Sequence, residues 1–131
     1  MLKEHYARAK DRKSGEWVCG FYAKLKQISY IIQLDEADMR FISVYGHTVD
    51  RCTGLYNPAQ KTDIFDRDIL QVIEVSGTTL TKKCVVLWHD GGWWVRYTDG
   101  TMHILAAVVH RATVIGNYTD NPELLWKEEK L

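Results

Sequence analysis

The chain lacks an excess of charge of either sign. In 131 residues, 17 lysines and arginines stand against 17 aspartates and glutamates, so no global field draws the protein to a polyanion. Cysteines are few and odd in number, Cys19, Cys52 and Cys84, with no C-x-x-C pair. That excludes a disulfide framework and a short-spaced structural zinc site, and it fits small buried hydrophobes in a reducing cytoplasm. No apolar run approaches the roughly 20 residues of a spanning helix. No signal-peptide pattern opens the sequence either, so a soluble cytoplasmic protein without a membrane partner is expected. Nothing marks a linker or an internal repeat. A single domain over residues 1–131 is expected, large enough to bury roughly two thirds of its unfolded surface without a metal or cofactor.

Motifs of catalysis are missing as well. There is no G-x-S-x-G, no H-E-x-x-H and no glycine-rich phosphate loop, and the histidines, His5, His47, His89, His103 and His110, are scattered. The expectation is a protein that is not an enzyme, with no catalytic, metal or cofactor-binding residues. Asp63, Asp66 and Asp68 cluster like oxygen ligands for a hard cation, but the central glycine of a calcium loop is absent. Turn capping and solvation before a strand is the expected role.

What the chain does have is short alternating or β-branched runs punctuated by glycine turns, which predicts a mainly β fold. Arg12-Lys13-Ser14-Gly15 reads as the turn of an N-terminal hairpin between a strand ending near Lys10 and one beginning at Glu16. Alternation in the second strand places Trp17, Cys19 and Phe21 on one face and Val18, Gly20 and Tyr22 on the other, so cover on both sides is expected. Gln27–Ile32 and Phe41–Tyr45 read as extended, with a loop or single turn over Leu34–Arg40. Tyr56–Asp63 reads as a surface connection.

The central block predicts strands at Asp68–Val75, Cys84–His89 and Trp93–Thr98, joined by turns at Ser76–Thr79 and Asp90–Gly92 and followed by a turn at Asp99-Gly100. Such an antiparallel meander is what a small SH3-like barrel requires. Trp93, Val95 and Tyr97 share one face of the last strand, while Trp94, Arg96 and Thr98 take the other. Both tryptophans therefore cannot enter one core, and one of them faces a second layer, another subunit or a ligand. Met102–His110 is expected to make a short helical turn leading into a final strand over Arg111–Ile115.

The ending, Val114-Ile115-Gly116-Asn117-Tyr118-Thr119-Asp120-Asn121-Pro122-Glu123-Leu124-Leu125, breaks a strand at glycine and restarts as a short helical turn. Asn121 suits the N-cap and Pro122 the first helical position; Glu123 sits at the positive end of the dipole. Leu124, Leu125 and Trp126 need a surface to dock on, since one turn is not stable alone. This segment, together with Thr48-Val49-Asp50-Arg51-Cys52-Thr53-Gly54-Leu55 and Ile64-Phe65-Asp66-Arg67-Asp68-Ile69, resembles the YopX family of small bacteriophage and prophage proteins. The N-terminal hairpin from Arg8 through Tyr22 resembles it too.

That likeness implies a mainly β domain, SH3-like in its centre, with Gly54, Asp68, Gly116, Asn121 and Pro122 as structural residues and no catalytic or cofactor residues. Family members carry glycine in a Glu-Gly-Asp step and a Gly-Gln-Tyr-Thr-Gly step. This chain has Arg67 and Asp50 there, so an altered local turn is expected, because arginine tolerates positive φ poorly.

Two function classes follow. The first is a non-catalytic assembly or protein-binding module, self-associating through an apolar sheet face or edge, or binding a phage or host protein. The second is a nucleic-acid-binding module. Lys10, Arg12 and Lys13, with Lys3 and Arg8 beside them, would supply the charge, and Trp94 with Arg96 the stacking surface.

Overall fold

The computed structural model describes residues 6–73 and 80–126. It is mainly β, with two antiparallel sheets and one short helix. The chain divides at Gly54 into two compact units.

In the first unit, β1 (Tyr6–Lys10) and β2 (Trp17–Leu25) form the expected hairpin. Its turn closes through the Asp11 amide donating to the Glu16 carbonyl at 2.9 Å. Next come β3 (Ile28–Leu34), β4 (Met39–Ser43) and the start of β5 (Asp50–Asn57), in the order β4-β3-β2-β1-β5. β3 begins one residue later than expected because Lys26 and Gln27 themselves make the turn, at φ 48° and 70°. Without a glycine or asparagine, that turn carried no signal in the sequence.

Alternation assigns the faces of this sheet. Ala7, Ala9, Ile31 and Val44 form a buried cluster on one face, with Val18, Ile42 and Val49 packed against it. Trp17, Cys19 and Phe21 on the other face are only half-buried. Among the described residues, cover of β2 is therefore incomplete on that side.

Asn57 corrects the expected surface connection. Tyr56 and Asn57 belong to β5, Thr62 and Asp63 to β6 (Thr62–Phe65), and only residues 58–61 turn. The buried Asn57 carboxamide builds that turn: Oδ1 accepts from the amides of Ala59 at 3.0 Å and Gln60 at 3.1 Å. Its Nδ2 donates to the Ala112 carbonyl at 2.7 Å. An Asn-Pro step was legible as a turn, but not that its asparagine points inward.

The second unit continues with β7 (Asp68–Ile73), β8 (Thr81–His89), β9 (Gly92–Tyr97), β10 (Met102–Ile104), a one-turn helix α1 (Leu105–Val108) and β11 (Ala112–Asn117). The sheet order β10-β9-β8-β7-β11 is the predicted meander, and it curls into a half-barrel. Val72, Val86, Val95, Leu105 and Val108 fill its core, with Ile64 from β6. Asp90 and Gly91, at φ 49° and 81°, form the tight β8–β9 turn that the sequence announced. The end of the expected strand at Val75 and the turn at Ser76–Thr79 lie outside the described residues, as do Lys3 and His5. No helix among the described residues is long and apolar enough to cross a membrane.

Candidate functional site

The expected basic stretch is built on β1. Tyr6, Arg8 and Lys10 alternate onto one face, and Arg8 and Lys10 register with Cys19 and Trp17 of β2. The Arg8 guanidinium lies 4.9 Å from the Trp17 ring centroid and the Lys10 ammonium 5.4 Å from it, both within cation–π range. Arg8 also donates from Nε to Asp50 Oδ2 at 3.1 Å, and Asp50 is fully buried. Arg12 stacks 5.0 Å over Tyr45. Lys13 is exposed, its backbone amide donating to Asp11 Oδ1 at 2.8 Å. Within this unit the basic side chains Arg8, Lys10 and Arg12 already lie over its aromatic rings, and a buried carboxylate offsets Arg8. Asp50 lies in ordinary extended backbone, and the sequence did not announce its pairing with Arg8 across 42 residues.

Trp94 and Arg96 belong to the second unit and alternate onto the face of β9 away from its core, as expected. Cross-strand neighbours make this face largely apolar: Leu87 and Ile104 flank Trp94, and Val85 and Met102 flank Arg96. Trp93 lies on the opposite side against the core, edge-on to Trp88 at 5.1 Å.

The structural residues hold the second unit's corners. Asp68 caps the tight turn after β6, its Oδ2 accepting the Phe65 amide at 2.8 Å. Capping is as expected, but solvation is not: Asp68 is buried, because the following residues Ile69 and Leu70 pull the strand into the core. Arg67 takes φ 64° in that turn despite its Cβ. Its amide donates to the Val86 carbonyl and its carbonyl accepts from the Tyr118 amide, which fixes a conformation that glycine adopts freely. Gly54 at the unit boundary has φ 81° with open space around it, so backbone freedom alone selects glycine there.

Gly116 is different. A Cβ there would fall 2.6 Å from Asn121 Oδ1 and 3.0 Å from Leu124 Cδ1. The expected helical cap is corrected by the same contact: the closing turn Pro122–Leu125 is 3₁₀, and Asn121 makes no side-chain cap to it. Its Oδ1 instead accepts the Asn117 amide at 3.3 Å, reaching backward across Gly116. Asn117 Oδ1 in turn accepts from Asp120 at 2.9 Å. Pro122 takes the first position of the turn as expected, and Leu124 docks at Gly116, but Trp126 is 71% exposed and does not share the burial.

Chemically reactive groups are sparse. Cys84 is buried and its thiol is pushed up to about 12 by that burial, against a weaker pull from its contact to the Leu70 carbonyl. It stays protonated at neutral pH and is a poor nucleophile. Among the described residues no group of three or more histidine, cysteine, aspartate or glutamate side chains could hold a metal ion.

An apolar row lies on the first sheet. The face away from the buried cluster carries Phe21, Ala23 and Leu25 from β2, Ile28, Tyr30, Ile32 and Leu34 from β3, and Met39 and Phe41 from β4, matched across the strands by register. Tyr30 and Phe41 meet edge-on at 6.0 Å, as do Tyr6 and Phe21 at 6.2 Å. Leu25, Ile28, Leu34, Met39 and Phe41 are each 45–58% exposed.

The pattern that defines the YopX protein family spans residues 4–126, which takes in both units and every motif above. The chain belongs to the YopX family. Among solved structures, the crystal structure of protein EF1440 from Enterococcus faecalis is similar in fold to this YopX protein. The TM-score is 0.54 at 20% identity, over 92% of this chain and 96% of that one. No curated protein matches this chain.

Proposed function

We propose that this YopX protein is a phage- or prophage-encoded, non-catalytic module of the bacterial cytoplasm that works by holding protein chains together, copies of itself first. The observation that supports this reading is the ordered apolar row on the first sheet. Scattered exposed hydrophobes are ordinary, whereas a contiguous patch marks an interaction site. The curled half-barrel of the second unit fits the same role, since SH3-like barrels often present aromatic surface to other chains.

A second reading, nucleic-acid binding, draws on the basic and aromatic side chains of β1, β2 and the turn between them. It is weaker because Trp17 and Tyr45 already carry cations, and because Asp50 and Asp11 offset the positive charge. Binding to single- and double-stranded oligonucleotides, measured at 50 and 500 mM salt alongside self-association, separates the two. A phosphate-driven complex loses affinity steeply across that range, while an apolar interface keeps its own. Tight oligonucleotide binding with a steep salt slope and no self-association would favour the second reading.

A further inference from the structure

We infer that the outward face of β2–β4 is the contact between two copies of this chain, packed face to face with their strands antiparallel. This rests on the self-association reading above and adds the surface, the partner and the orientation. Five side chains about half exposed, at roughly 150–250 Å² each when full-sized, present about 400–600 Å². That reaches the top of the range for the largest patch on an ordinary monomer. Two such faces bury about 800–1,200 Å², and the half-buried Phe21, Tyr30 and Ile32 between them bring the contact to the lower edge of a standard interface, which fits a reversible dimer.

The flanking charges say what covers the face. At the β2–β3 turn stands Lys26; at the β3–β4 end stand Asp35, Glu36 and Asp38, while Lys24 and Arg40 alternate onto the opposite face of the sheet. β3 separates the two ends by about 20 Å. That exceeds the Debye length of roughly 8–10 Å, so the ends act as separate poles. The apolar face is thus bounded by a basic pole and an acidic pole, which makes it complementary to itself turned through 180°. A two-fold axis in the interface, perpendicular to the strands, sets each copy's acidic pole against the other's basic pole. Parallel stacking would oppose like charges at both ends.

Sedimentation velocity on the full chain and its variants tests this. Lys26→Glu makes both poles acidic, and Asp35→Lys, Glu36→Lys and Asp38→Lys makes both basic. Each variant alone should dimerise at least about tenfold more weakly at low salt, and an equimolar mixture should recover association as a mixed dimer. Phe41→Asp should weaken the dimer at least about 100-fold by placing a charge in the contact. Its far-ultraviolet dichroism should stay that of the wild type, because Phe41 is half exposed, and Leu34→Asp serves in its place if it does not. A wild-type chain monomeric at about 100 μM, a concentration far above a micromolar Kd, would overturn the self-association reading itself. A wild type that associates equally well with Asp at 41 or 34 would overturn this surface alone. Loss of association with Asp at 41 or 34 but no weakening in the single charge-reversed variants, or no recovery in their mixture, would overturn the antiparallel arrangement.

Discussion

Replacing Asn57 by alanine should destabilise the second unit by about 2–4 kcal/mol. Its carboxamide makes four hydrogen bonds: to Ala112 at 2.7 Å, to Gln60 Oε1 at 3.1 Å, and from the amides of Ala59 and Gln60. The bond to Ala112 is buried, and the others are part-buried. A net contribution of roughly 0.5–1.5 kcal/mol per bond, plus the cost of stranding the buried Ala112 carbonyl, gives that range once water reaches the turn amides. For a chain of 131 residues at about 4 °C per kcal/mol, the melting midpoint should fall by about 8–16 °C.

Asn57→Asp should be worse at neutral pH, since a carboxylate oxygen would face the Ala112 carbonyl. Burial beside an acceptor raises the folded pKa of such an acid above its unfolded value. The variant's stability should then be greatest below the unfolded pKa and be lost as pH rises through the folded one. Thermal denaturation followed by dichroism from pH 4 to pH 8 reads both effects. A shift under about 2 °C for Asn57→Ala would refute the reasoning, as would an aspartate variant with no pH dependence beyond the wild type.

Four further outcomes follow from the same geometry. Gly116→Ala should cost about 1–3 kcal/mol in denaturant melts by overpacking against Asn121 and Leu124; unchanged stability would show that the closing turn is not docked. Arg67→Gly should be neutral or stabilising by up to about 1 kcal/mol, because relief of a left-handed non-glycine residue outweighs the added unfolded-state freedom. Arg8→Ala should cost about 1.5–3 kcal/mol by removing a charge-assisted hydrogen bond to the buried Asp50 carboxylate, and Arg8→Ala with Asp50→Ala should show coupling between the two in a double-mutant cycle. Cys84 should resist alkylation at pH 8 in the folded protein and react only on unfolding, as read by mass spectrometry of labelled peptides.

The sequence was most legible where a turn residue and a period agreed. Asp90-Gly91 and the alternation around Trp93 predicted the β8–β9 hairpin and which face each tryptophan takes, because both signals are local. Lys26-Gln27 hid the β2–β3 turn by adopting positive φ without glycine, a conformation held only by the ladder on either side. Asn57 and the Arg8–Asp50 pair were hidden because their partners lie 55 and 42 residues away. Asn121 was assigned to the right corner with the wrong acceptor geometry, since the close approach at Gly116 is invisible to capping rules. The apolar face of the first sheet was foreshadowed as a general possibility. Its extent needed the register of β2, β3 and β4, and so did the poles at its ends.

Light scattering across a concentration series tests the central claim most directly. The weight-average molar mass should climb from 15.2 kDa for the single chain toward twice that value as concentration rises through the micromolar range, and it should do so at high salt as well. A mass fixed at 15.2 kDa throughout would contradict the account.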